Sequence, residues 1–147
     1  MCCARIFLYD SMFRRRTSSS GPSTRLNVFR SMDRQTHSIV AVTEAWRAKY
    51  GDAEDGYLFP YDPIVWDKLL AGHGAGPYYS VPFYTLHKLM AGLLDQHTHA
   101  GSALAYTLVT RMAAWVGRRV AATLSAGGEA LWQRVLLTEW GGMNDVR

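Results

Sequence analysis

Apolar side chains recur every three or four residues along most of this chain, a spacing that predicts helices from end to end. From Thr36 to Tyr50, Ile39, Val42, Trp46 and Tyr50 fall on one face, and Gly51-Asp52 ends the helix. Gly56-Tyr57-Leu58-Phe59-Pro60 reads as an irregular crossing segment, strand or loop. Asp62-Pro63 signals the next start, with the carboxylate as cap and proline in the first helical position. Ile64, Trp66, Leu69 and Leu70 give that helix its apolar side. A glycine-rich loop over 72–77 leads to the best-patterned stretch, where Pro82 opens a helix carrying Phe83, Leu86, Met90, Leu93, Leu94 and His97 in period. Ser102 caps a long helix with Leu104, Leu108, Met112, Trp115 and Val120 inward. Residues 125–128 break it, and Glu129 to Leu137 resumes with Leu131, Trp132, Val135 and Leu136. No alternating run of strand type intervenes. The fold class is all-α.

One polar ring interrupts the apolar side of the Pro82 helix. His87 lies in line with Phe83, Met90 and Leu94, while Tyr78, Tyr79 and Tyr84 crowd the helix entrance. Aromatic rings beside an inward imidazole furnish sugar and small-molecule pockets. The competing reading is a core histidine bonded to a backbone carbonyl.

Composition changes this picture mainly at the N-terminus. At 147 residues the chain has the length of one domain or of a piece of a larger one, and 48% hydrophobic content is enough for a core. Its net charge of +4 is unevenly placed: residues 1–34 carry seven Arg and two Asp, the remainder nine Lys or Arg against ten Asp or Glu. Residues 36–147 therefore carry no nucleic-acid footprint. Residues 1–35, with Arg14-Arg15-Arg16 and Thr17-Ser18-Ser19-Ser20-Gly21-Pro22-Ser23, have the composition of a disordered segment. The same Arg/Ser bias also fits an organelle transit peptide. No run approaches the roughly 18 apolar residues of a membrane span, and Ile6 to Tyr9 is too short for a secretory core. Cys2 and Cys3, adjacent and terminal, neither staple a fold nor make a metal site, and they leave the compartment unread.

Three blocks, taken together, carry a family resemblance. They are Gly56-Tyr57-Leu58-Phe59-Pro60, the run Val81-Pro82-Phe83-Tyr84-Thr85-Leu86-His87-Lys88-Leu89-Met90-Ala91-Gly92-Leu93-Leu94-Asp95-Gln96, and Glu139-Trp140-Gly141-Gly142-Met143-Asn144-Asp145-Val146. In this order they resemble the β-L-arabinofuranosidase-like proteins of glycoside hydrolase family 127, in their plant and algal form, over about residues 37–147. The resemblance implies part of an (α/α)6 toroid, its inner helices shaping a sugar pocket. It makes His87 a sugar-contacting residue, with Tyr84, Glu139 and Asn144 as further substrate-binding candidates. Tyr57 either lines the pocket or packs the crossing segment. The family hydrolyses terminal arabinofuranosides through a cysteine thiolate held at a zinc, with a glutamate as acid/base. Those residues are expected beyond the Gly-Gly-Met-Asn block, so no residue of this chain is assigned a catalytic role, no cofactor is assigned to it, and the chain alone is expected to be inactive. The last residues read as a loop and the first turn of a helix, an ending that predicts a truncated domain.

Rival chemistries are thinner. Glu139 and Asp145 flank a Gly-Gly loop at a separation a two-carboxylate glycosidase could use, but Asp145 equally suits a helix first turn. His97-Thr98-His99 with His73 or His87 has metal-ligand types, against which stands a solvated helix end. From another class comes a helical interaction module. An incomplete barrel would expose Trp115, Trp132 and Leu136 and favour self-association.

Overall fold

The computed structural model describes residues 22–59, 62–73, 81–139 and 142, with the backbone alone for 22–29, 32 and 33. Among them every regular element is helical: α1 (Pro22–Tyr50), a short 3-10 turn (Asp52–Glu54), α2 (Ile64–Leu70), α3 (Pro82–Ala100) and α4 (Ala103–Thr138). The all-α expectation holds. Tyr78, Tyr79, Trp140, Asn144, Asp145 and the two cysteines lie outside the described residues.

α1 begins at Pro22, not near Thr36, and so runs through the second part of the segment expected to be disordered. Proline in a first helical position is a start signal, and here it outweighs the Ser/Gly composition before it. The buried face of α1 also differs from the apolar spacing. Val42 and Tyr50 are exposed, whereas Thr36 and Thr43 are fully buried beside the partly buried Ile39, Val40 and Trp46. Thr43 can enter the core because its hydroxyl donates back to the Ile39 carbonyl (3.0 Å). Thr36 donates to the Gln96 side-chain oxygen, a buried polar link between α1 and α3.

α2 starts one residue later than its Asp-Pro signal predicts, at Ile64 with Pro63 in the cap position, and Asp62 Oδ1 accepts from the Ile64 N–H (3.1 Å). The turn between α3 and α4 closes through Gly101 N–H to the His97 carbonyl (2.9 Å) and Ser102 N–H to that of Gln96 (3.3 Å). Ser102 then caps α4 by accepting from the Ala105 N–H (3.2 Å). The expected break in α4 falls at Gly128, whose backbone leaves helical geometry (φ 61°, ψ −162°).

α4 is the scaffold on which α2 and α3 pack, with α1 laid across α3 and α4. Aromatic rings tie these elements together. Tyr57 meets Trp115 (4.9 Å between ring centres) and Trp46 (5.9 Å), and Trp66 meets Trp115 (5.3 Å), Phe83 (5.0 Å) and Phe59 (5.6 Å). Trp115 is wholly buried at the centre of this cluster, as its inward place in the helical period predicts and against the exposure expected of an incomplete barrel, and Trp132 packs edge-on to Phe83. The large exposed apolar side chains include Leu137, Ile64 and Tyr106, on different parts of α2 and α4. The crossing segment runs through the core, with Tyr57, Leu58 and Phe59 buried, and its Gly56 (φ 88°) is forced by space. A Cβ there would sit 2.2 Å from the Arg111 carbonyl oxygen.

Candidate sugar-facing site at the start of α3

Pro82 stands in the first position of α3, and the helix has no side-chain cap of its own at Val81. Proline brings no N–H, so the first unsatisfied donors are those of Phe83 and Tyr84. Both bond to one carboxylate from the far end of α4. Phe83 N–H donates to Glu139 Oε2 (2.7 Å) and Tyr84 N–H to Oε1 (2.8 Å). An anion across a helix N-terminus also complements the helix dipole. Glu139 is buried, and that burial pushes its carboxyl above the usual glutamate range, the two N–H bonds pulling partly back.

One turn into α3, His87 is 8% exposed and its ring meets that of Tyr84 edge-on at 6.3 Å. Gly142 lies against this imidazole. A Cβ added to Gly142 would lie 2.5 Å from Cε1, 2.6 Å from Nδ1 and 3.1 Å from Nε2 of His87. Tyr84 itself stays exposed, with Lys88 Nζ 5.5 Å from its ring centre. The fold therefore brings together His87, Tyr84 and Glu139, three of the four residues expected to bind substrate. Asn144 lies outside the described residues.

Two features were missed by residue pattern alone. Gly142 is needed for its bare backbone against the imidazole, and the Gly141-Gly142 pair beside a loop was the available signal. Glu139 acts as a cap for a helix remote in sequence, and nothing local marks such a partner. Tyr57 resolves toward packing: it is fully buried among Trp46, Phe59 and Trp115, and burial drives its phenol pKa upward.

Elsewhere, Tyr50, Glu54, Asp62, Pro63, Ile64 and Asp67 line an open groove of about 380 Å³ that includes none of the α3 site residues. Its polar groups serve the fold. Tyr50 and Lys49 bond Asp62, Arg119 pairs with Glu54 and Asp67, and Trp115 Nε1 donates to Glu54 (2.7 Å). His97 Nδ1 lies 3.3 Å from the Ser102 carbonyl, and His99 lies 3.8 Å from Asp95. Among the described residues no group of three His, Cys, Asp or Glu side chains could hold a metal ion. Residues 28–147 also contain no cysteine, so this donor set does not fit a thiolate-bound zinc. None of the described helices is long and apolar enough to cross a membrane.

Compared with known proteins, residues 28–147 match the family described as Beta-L-arabinofuranosidase, GH127 catalytic domain. No curated protein and no solved structure matches the chain.

Proposed function

This chain belongs to the GH127 β-L-arabinofuranosidase catalytic-domain family, and on that premise we propose that it forms part of the sugar-binding wall of a hydrolase of terminal arabinofuranosides. The observation that carries the reading is the convergence of His87, Tyr84 and Glu139 at the start of α3. An imidazole can donate to one sugar hydroxyl and accept from another, and a phenol ring offers an apolar face to the carbon side. Asn144, two positions beyond Gly142, completes the set. α1 to α4 are then part of an (α/α)6 toroid, with α3 on its inner side. The folded unit includes α1.

Retaining hydrolysis needs a nucleophile and an acid/base on one sugar. The family's thiolate has no counterpart in residues 28–147, and both Glu139 oxygens are engaged by backbone. This chain's residues bind and orient, and the bond-breaking groups lie elsewhere. The chain alone is expected to release no p-nitrophenol from an arabinofuranoside, with or without added zinc. Turnover that disappears in Glu139→Gln would show instead a carboxylate mechanism. The binding half is tested by titrating the chain with L-arabinose and following His87 and Tyr84 by NMR. Both should respond, and silence from both sinks the reading.

A further inference from the structure

Both oxygens of Glu139 are committed to the first free N–H groups of α3, and Gly142, three positions on in sequence, lies against the His87 ring. One of those N–H groups belongs to Tyr84, whose ring meets the same imidazole edge-on. A single carboxylate thus fixes two neighbours of His87 at once. We infer that Glu139 is a positioning residue, a clasp that seats Gly142 and Tyr84 around His87 and holds the imidazole in one orientation toward the sugar.

The chemistry of the clasp is specific. A carboxylate accepts two parallel N–H bonds without a proton in the way, which sets its plane as well as its place. A glutamine offers one acceptor oxygen and points its amide N–H groups at the other backbone donor, so half of the clasp becomes a repulsion. The Gly142 contact is equally restrictive, because at 2.5 to 2.6 Å from two ring atoms an added methyl must displace either the ring or the turn. Glu139 therefore acts on sugar through His87, and not as acid, base or direct ligand.

This inference rests on the reading of His87 as a sugar contact, and one experiment separates the two. The full chain is labelled with nitrogen-15 in its imidazoles. Long-range proton–nitrogen correlations then report tautomer and environment for each ring. Glu139→Gln and Gly142→Ala should move the His87 signals and leave those of His97 and His99 in place, with Glu139→Asp restoring part of the wild-type position. Leu137→Ser, at a side chain 86% exposed, should change none of them. Both displacing variants should weaken L-arabinose binding roughly tenfold or more, the scale of one lost oriented contact. His87 signals unmoved in a folded Gly142→Ala overturn the clasp, whatever arabinose does. Moved signals with no arabinose response in the wild type uphold the clasp and remove the sugar reading. If Glu139→Gln fails to fold, Gly142→Ala and Glu139→Asp decide alone.

Discussion

Glu139 is a carboxylate held in a place where burial works against its charge. Its folded pKa lies above the ordinary 4.5, mainly through desolvation, so the folded chain keeps this proton to higher pH than the unfolded chain does. Protonation then favours the fold. The contribution is fully present below the unfolded value and is lost as pH rises through the raised folded value. Asp55 has the opposite sign. The Arg111 guanidinium bonded to it depresses its carboxyl, and that contribution fades as pH falls through the folded value. The stability of wild type relative to Glu139→Gln should accordingly decline as pH rises from about 4.5, the ordinary glutamate value, through the folded one. Urea titrations across that range measure it, and a relative stability that rises instead refutes the direction. At this scale the inward place of His87 was legible, because an imidazole on an apolar line stands out. It did not show what Glu139 does, since a cap supplied from another helix leaves no local pattern.

Helix starts written in neighbouring residues were legible: Asp62 before Pro63, Pro82, and Ser102 before Ala105. The face of α1 was not. Spacing counted from apolar letters selects Val42 and Tyr50, whereas the fold buries Thr36 and Thr43, whose hydroxyls find acceptors inside. Threonine is polar by name and half hydrocarbon in shape, and only tertiary contact decides which part counts. Thr36→Val keeps that shape and removes the donor to Gln96. It should cost about 1–3 kcal/mol in denaturant unfolding, because the Gln96 amide oxygen stays buried without its hydrogen bond. A neutral result would mean that Gln96 finds water or another donor.

For the molecule as a whole, the aromatic cluster makes one core out of four helices and a crossing segment. Trp46, Trp66 and Trp115 come from α1, α2 and α4, and Tyr57 and Phe83 join them. Tryptophan fluorescence and far-UV circular dichroism should therefore trace one coincident unfolding transition. Separate midpoints would show that α1 unfolds by itself. The all-α class was readable because helical period runs through every element. The inward place of Trp115 was readable from the same period, and the rings it meets were not, because they come from other elements.

The two bonds from Glu139 also close a ring of covalent chain, since they join positions 55 and 56 residues apart. α3 and α4 are already joined at Gly101, and this carboxylate ties the end of α4, beyond its break at Gly128, back to the start of α3. Fraying at the end of a helix is usually a private event of that helix. Here the last turn of α4 cannot let go without uncovering the first donors of α3. The amide hydrogens of Phe83 and Tyr84 should then exchange with solvent at the rate at which residue 139 opens, two helix ends breathing as one.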